Sequence, residues 1–214
     1  MRVIATNISA PKAVTWRGKN ILTGIYKQPI SDHIHLGIEN VRNDAVIDRK
    51  HHGGEYKACY LFGANYYSDW KAKYPNLEWN WGMFGENLTM EYLNEEELKV
   101  GAIYSIGSAL VQISEPRQPC FKLGIRFNDQ NVIAQFIEYG CPGTYVRVLK
   151  EGKVGTGDIM ELIEAGPNSL SISQYNTLLN QRIKDPSLVA LALENPEIRP
   201  SKREFFEKYL QKNP

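Results

Sequence analysis

Short segments rich in β-forming residues, separated at close intervals by turn residues, fill the first 160 or so residues of the chain. Residues 102–106 and 109–114, for example, are joined by Gly107-Ser108, which suits a tight hairpin. Many short strands at this spacing are typical of a barrel and not of a parallel α/β sheet. The sequence therefore predicts a mainly β fold, a closed or partly open β-barrel, with a few helices.

The same pattern locates the individual elements. Further strands are predicted at residues 3–8, 24–29, 58–62, 143–150 and 158–163. Residues 34–36 and 44–48 could form another pair, whereas residues 11–20 predict a turn-rich connector. Residues 65–74 carry aromatic side chains at helical spacing before a proline and predict a helix, while residues 132–139 fit either a helix or a strand.

The C-terminal part of the chain has a different character. Three helical segments are predicted there, at residues 171–183, at residues 187–194 and from residue 199 onward. Asp185-Pro186 is an N-cap followed by proline at the first helical position. We therefore divide the chain into a β domain, residues 1–164, and a small three-helix appendage, residues 165–214, which we expect to pack on the β domain.

Charge and cysteine usage exclude several classes of protein. The chain carries 25 Lys and Arg against 24 Asp and Glu, so no global field draws it to nucleic acid or to an acidic membrane. No stretch approaches the roughly 18 apolar residues of a membrane span, and the first residues lack the apolar core of a secretion signal. Cys59, Cys120 and Cys141 form no CxxC pair and no zinc-type spacing, which predicts reduced thiols in the cytoplasm.

The segment Pro-Arg-Gln-Pro-Cys-Phe-Lys-Leu, residues 116–123, is the strongest candidate for chemistry. Its two prolines stiffen the backbone around Arg117 and Cys120. Arg117 and Lys122 place positive charge beside the thiol and favour the thiolate, which attacks electrophiles or binds a soft metal. The alternative, that Cys120 is a small buried hydrophobic residue, stays open.

Three other features could converge with this segment on one pocket. His52-Gly53-Gly54 can turn backbone N–H groups toward an anion, Glu86-Asn87 follows a glycine hinge, and Lys27 lies among β-forming residues. Taken alone, each is more typical of an ordinary turn or a solvated charge. Together, a phosphate clamp of Arg and Lys plus one thiolate indicates a phosphorylated metal-dithiolene cofactor more than hydrolysis. A cysteine hydrolase would need a histidine base, for which His52 is the only plausible candidate.

These motifs, in this order and at these intervals, resemble the MOSC family and, within it, the YiiM-like group. The resemblance runs through residues 24–29, 48–54, 66–70, 85–89 and 112–123, and the helical tail is similar to the extension of that group. One departure is Arg42-Asn43-Asp44, which stands where the family often has Gly-Asp.

Membership would imply a barrel that binds molybdenum cofactor, with Cys120 as the sulfur ligand to molybdenum. The implied cofactor-binding residues are Arg117, Lys122, His52, Gly53, Gly54, Lys27, Glu86 and Asn87. The implied activity is two-electron reduction of N-hydroxylated compounds such as hydroxylamino-purines, with Cys120, His52 and Lys27 as catalytic residues. His52 or Lys27 would supply the proton.

The electrons would come from a redox partner protein, because the chain has neither a ferredoxin-type cysteine run nor a dinucleotide fingerprint. Pyridoxal phosphate is not expected as a cofactor. Two other classes of function stay open. One is a sulfur-carrier or cofactor-handling module in which Cys120 holds a persulfide. The other is a binding module without chemistry, although the near-neutral charge gives no nucleic-acid footprint. The sequence makes no prediction of oligomeric state.

Overall fold

The computed structural model describes residues 1–212 and shows a mainly β architecture. The strands within this range are β1 (Val3–Ile8), β2 (Lys12–Trp16), β3 (Lys19–Thr23), β4 (Gln28–Ile30), β5 (Ile34–Leu36), β6 (Cys59–Gly63), β7 (Leu88–Met90), β8 (Ile103–Ile106), β9 (Ala109–Pro116), β10 (Thr144–Lys150), β11 (Gly152–Val154) and β12 (Met160–Glu164). The α-helices are α1 (Arg49–His52), α2 (Tyr67–Lys73), α3 (Phe121–Phe127), α4 (Val132–Tyr139), α5 (Ile172–Asn180), α6 (Pro186–Glu194) and α7 (Pro200–Lys212).

Eight strands form one mixed sheet in the order β12-β8-β9-β10-β6-β7-β1-β4. β6 and β7 run parallel, and the other neighbours in the sheet are antiparallel. The order is linear, so the hydrogen-bonded ladder does not close and the predicted barrel is not confirmed. β1 pairs with β7 along one edge and with β4 along the other. The start of β1 is joined to residues 157–160 by an isolated bridge between Arg2 and Ile159. Backbone hydrogen bonds from Val3 N to Asp158 O at 2.9 Å, from Gly157 N to Val3 O at 2.8 Å and from Met160 N to Met1 O at 2.7 Å support the same contact.

The predicted connector at residues 11–20 is wrong, because β2 and β3 form an antiparallel hairpin there. Arg17 and Gly18 make its turn, with φ values of 49° and 75°. The hairpin lies outside the main sheet, and one side of it is only partly buried, at Val14, Trp16 and Ile21. This apolar pattern is too short to distinguish the segment from a turn-rich connector in the sequence. The expected pairing of residues 34–36 with residues 44–48 is also wrong, since β5 pairs with β11.

The strand predicted at residues 24–29 is wrong over residues 24–27, which lie between β3 and β4, whereas several other predicted elements are confirmed. β8 and β9 form the expected hairpin, and Gly107 adopts a φ of 54° in its turn. Residues 132–139, which fit either a helix or a strand, form helix α4. The structure also contains helix α3, which the sequence did not predict. Its N-cap residue is Cys120, which makes no side-chain hydrogen bond to the helix and is not a typical capping residue.

The C-terminal helices pack on the sheet, as expected. Ser171 caps α5 in a capping box with Gln174, and Asp185 caps α6. Tyr175 and Phe206 are buried in the same apolar cluster as the strands of the large sheet. The domain boundary after residue 164 stays a prediction. No helix in the described range is both long and apolar enough to cross a lipid bilayer.

Candidate functional site

A cleft with about 640 Å³ of empty space lies beside the turn that follows β9. It brings together side chains from five separated parts of the sequence. Among the predicted site residues, its walls contain Lys27, His52, Asn87, Arg117, Cys120 and Lys122. Gly53, Gly54 and Glu86 do not line it.

Cys120 is positioned by the short turn between β9 and α3. β9 ends at Pro116 and α3 begins at Phe121, so Cys120 is the last extended residue before the helix, with φ −131° and ψ 173°. Its carbonyl accepts a hydrogen bond from Leu123 N at 2.9 Å, which fixes the turn. The thiol is half-buried and forms part of the cavity wall.

Arg117 is a buried cation without a counter-ion. It is only 6% exposed, and its guanidinium lies over the rings of Tyr60 and Phe136, with Cζ 5.4 and 5.2 Å from their centroids. Its Nη1 is buried without a hydrogen-bond partner. Within residues 1–212, no carboxylate forms an ion pair with it. Burying an unpaired charge costs on the order of several kcal/mol. This arginine is therefore suited to bind an anion in the cavity.

Lys27 and Asp44 also line the cavity, where they form a buried ion pair with side chains 7% and 2% exposed. Asn87 Nδ2 donates a hydrogen bond to Asp44 Oδ2 at 2.9 Å, and Ser9 N donates to Oδ1 at 3.0 Å. Asp44 therefore holds the ammonium group of Lys27 in one place. The sequence drew attention to Asp44 only as the start of a possible strand and as part of the Arg42-Asn43-Asp44 departure from the family pattern, and did not predict this role.

Positive charge and burial act together on His52. Burial, followed by the charges of Lys122, Arg117 and Lys57, lowers its pKa from 6.5 to about 4. The imidazole is therefore neutral near pH 7 and cannot donate as an imidazolium ion in this environment. An anion in the cavity would offset the cationic charges and raise the pKa of His52 again.

This lowered pKa predicts how stability depends on pH. The unfolded chain gains a proton on this histidine below pH 6.5, whereas the folded chain gains it only near pH 4, so stability falls as pH drops through this window. Between pH 7 and pH 4, His52 should lower the free energy of unfolding by on the order of 2 kcal/mol, a value that allows for solvent screening. We expect His52→Gln to remove this pH-dependent loss. Urea unfolding between pH 7 and pH 4 measures it, with His33→Gln at an exposed histidine as the matched control. Parallel pH profiles for wild type and His52→Gln would contradict this prediction.

Lys57 lies in the cavity wall and Glu115 pairs with it, and the sequence predicted a role for neither. Lys57 lines the cavity and pairs with Glu115 at 3.1 Å. Glu115 is 3% exposed and also lies 3.5 Å from Arg199, just before α7. Lys202 Nζ donates to Gln118 Oε1 at 3.1 Å, so α7 contacts the Cys120 turn directly. The available signal was the position of Glu115 in the chain, two residues before Arg117.

Glu86 lies behind the cavity wall, where it organises a loop. Its carboxylate accepts hydrogen bonds from Gly82 N at 2.7 Å, Phe84 N at 3.1 Å and Thr89 Oγ1 at 2.9 Å. The Tyr67 hydroxyl is a fourth donor. Burial raises the pKa of Glu86, and these hydrogen bonds oppose the shift. Glu86 therefore fixes the loop that carries Asn87, and it makes no direct contact with the cavity.

The two glycines beside His52 have packing and backbone roles. A Cβ on Gly53 would approach Val46 Cγ1 to 3.1 Å, and Gly54 adopts a φ of 88°. Val46 lines the cavity, so a side chain at position 53 would press on the cavity wall. Both glycines thus permit the turn that places His52, although they do not line the cavity.

Fold and site together define the class of this protein. Residues 48–161 match the MOSC domain model, and the chain belongs to the MOSC domain family. Its similarity to the YiiM-like group is also confirmed. The structure of YiiM from Geobacillus stearothermophilus superposes with a TM-score of 0.80 at 29% identity, covering 97% of each chain.

Two further relatives cover most of this chain. The uncharacterized protein YflK of Bacillus subtilis (strain 168) is 32% identical over 206 residues, which are 96% of this chain and 93% of YflK. A protein named Reductase from Gibberella moniliformis is 31% identical over 182 residues, which are 84% of this chain. The matched region is only 32% of that fungal protein. One relative is therefore named for reductive chemistry, although most of its length lies outside the match.

Proposed function

We propose that this protein is a molybdenum-cofactor-dependent reductase of N-hydroxylated compounds. The observation that carries the proposal is the placement of the Cys120 thiol and the unpaired, buried Arg117 on one cavity. A thiolate is a soft metal ligand, and guanidinium and ammonium groups bind phosphate through charge-assisted hydrogen bonds. The residues present therefore fit the cofactor. Cys120 would hold the metal, while Arg117 and Lys122 would hold the phosphate.

The side chains around the cavity agree with a metal whose ligands come mostly from the cofactor and not from the protein. In the described part of the chain, no group of three or more His, Cys, Asp or Glu side chains could hold a metal ion. Cys120 would supply one sulfur, and the remaining ligands would come from the cofactor. Electrons would come from a separate redox protein. We also propose that the protein works in the cytoplasm without nucleic acid or membrane as partners, in keeping with its free cysteines and near-neutral charge.

When bound, the cofactor supplies the two-electron step, in which R–NHOH, two electrons and two protons give R–NH₂ and water. The chain's own residues orient the substrate and deliver protons. Lys27 Nζ, fixed by Asp44, is a positioned proton donor at the cavity wall. His52 can take the same role once an anion raises its pKa. Tyr60, Phe84 and Tyr145 provide apolar wall area that limits water near the N–O bond.

Metal analysis and a defined reductant test this proposal. We expect protein from a host that makes molybdenum cofactor to contain molybdenum and to reduce a hydroxylamino-purine with reduced methyl viologen. Protein from a host unable to make the cofactor should do neither. Equal activity from both hosts would contradict the proposal. A labile extra sulfur on Cys120 by mass spectrometry, without reductase activity, would instead indicate the sulfur-carrier function.

A further inference from the structure

Basic residues are concentrated at the N-terminal end of the chain. Residues 1–31 contain no Asp or Glu, and their basic residues are Arg2, Lys12, Arg17, Lys19 and Lys27. Residues 32–214 contain the remaining 20 basic residues and all 24 acidic residues of the chain. The net charge of +1 therefore conceals a strongly positive segment and a negative remainder.

The β2–β3 hairpin carries three of these charges, and its tip, with Arg17 and Lys19, lies in the neighbourhood of Cys120. Trp16, at the end of β2, stacks on Phe121 with ring centroids 5.4 Å apart and an interplanar angle of 26°. Phe121 directly follows Cys120 in the chain. Arg17 lies with its Cζ 5.3 Å from the centroid of the Trp16 ring, and Lys19 pairs with Trp16 in the hairpin register. The hairpin tip therefore lies beside the turn that holds the thiol.

These hairpin cations are exposed, and within residues 1–212 none of them forms an ion pair. The positive surface continues into a groove between the hairpin and α3. There Lys12 Nζ lies 4.0 Å and Arg126 Cζ 5.0 Å from the centroid of the Tyr26 ring. Arg126 Nη2 donates a hydrogen bond to Asn80 Oδ1 at 3.2 Å, whereas its Nε is buried without a hydrogen-bond partner. Among the described residues that line the groove, Glu78 is the acidic one. We call Lys12, Arg17, Lys19 and Arg126 the hairpin surface.

We propose that the hairpin surface is the docking site of an acidic electron-carrier protein. The inference rests on the proposed function, since each R–NHOH reduced consumes two electrons and two protons. The carrier is oxidised as it gives up these electrons, so two molecules of a one-electron carrier dock in turn for each substrate. A carrier must dock close to the redox centre, and the Trp16–Phe121 contact places the hairpin surface beside Cys120. Unpaired cations attract an acidic partner and orient it, an effect that decreases with added salt.

Charge-neutralising variants test the docking site by binding. The test variant is Lys12→Gln/Arg17→Gln/Lys19→Gln, and its matched control is Lys150→Gln/Lys153→Gln/Arg182→Gln, which removes the same charge from exposed positions elsewhere. The probe is a purified acidic [2Fe–2S] ferredoxin. We expect wild type and the control to bind it at about 20 mM salt and to lose binding at about 500 mM salt. The test variant should bind about tenfold or more weakly at the lower salt.

Two outcomes of the binding experiment would overturn the proposal. One is equal loss of ferredoxin binding in the test and control variants, which would show that only net charge matters. The other is absence of ferredoxin binding by wild type at low salt. Single-stranded oligo-dT is the competing polyanion. Equally tight binding of oligo-dT, with the same dependence on the hairpin, would also overturn the proposal, because the surface would then not be specific for an acidic protein.

Activity separates this inference from the proposed function. With reduced methyl viologen as donor, the test variant should match wild type within about twofold, because a small reductant needs no docking surface. With reduced ferredoxin, its kcat/KM should fall about tenfold or more, and the control should not change. Loss with both donors would overturn the docking role. Wild type that binds ferredoxin but is inactive with both donors would overturn the proposed reductase function, while the binding result would still decide the surface.

Discussion

Cys120→Ser is expected to lower both molybdenum content and reductase activity by more than about a hundredfold, the upper range for loss of residues that merely support a metal ligand. A serine hydroxyl is a hard, poorly ionised donor and does not replace a soft thiolate. The fold should be unaffected, because Cys120 is half-buried and, as the N-cap of α3, makes no side-chain hydrogen bond to the helix. Elemental analysis, steady-state kinetics and urea unfolding on the same preparation measure the three quantities.

Cys141→Ser is the matched control for this experiment. Cys141 is also half-buried, but it does not line the cavity. Burial and the charge of Glu95 raise the pKa of its thiol, and a hydrogen bond with Tyr66 opposes this shift. We expect this variant to keep wild-type molybdenum content and activity. Equal molybdenum in wild type and Cys120→Ser would rule out Cys120 as the required ligand.

Glu86→Ala is expected to destabilise the fold by about 4 kcal/mol, since it leaves several buried donors without an acceptor and each costs about 1–3 kcal/mol. The affected donors are Gly82 N, Phe84 N, Thr89 Oγ1 and the Tyr67 hydroxyl. Glu86→Gln should cost less, because the amide oxygen can still accept hydrogen bonds. Urea unfolding at constant pH measures both effects.

Glu91→Ala, at an exposed carboxylate in the same part of the chain, is the control for this series. It should change the free energy of unfolding by less than about 0.5 kcal/mol. A cost for Glu86→Ala as small as that of the control would show that the loop of residues 82–87 does not depend on the Glu86 carboxylate.

Much of the sheet and of the cavity was predictable from the sequence. The β8–β9 hairpin was recognisable because two apolar runs flank Gly107-Ser108. Cys120, Arg117 and Lys122 were found because two prolines and two cations surround one thiol. Their meeting with His52 and Lys27 came from family resemblance. No local pattern shows that residues 65 or more positions apart in the chain line one cavity.

The rest depended on tertiary contacts that leave little trace in a sequence. The β2–β3 hairpin has one face that is only partly buried, and its apolar positions are few and interrupted by turn residues, so the segment was predicted as a connector. β5 pairs with β11, more than a hundred residues away, instead of with the nearby segment at residues 44–48. Asp44 gained its importance from two partners, Lys27 and Asn87, which are separated from it by 17 and 43 residues.

The contact between α7 and the Cys120 turn has a consequence for the order of events during synthesis. Glu115 and Gln118 border the turn, but their partners Arg199 and Lys202 are made some eighty residues later. When Cys120 leaves the ribosome, the nascent chain therefore still lacks the contacts that Arg199 and Lys202 make with the Cys120 turn. Under the proposed function, we expect cofactor capture to follow release of residue 202 from the ribosome. Loading would then be a late maturation step and not a nucleus on which the fold assembles.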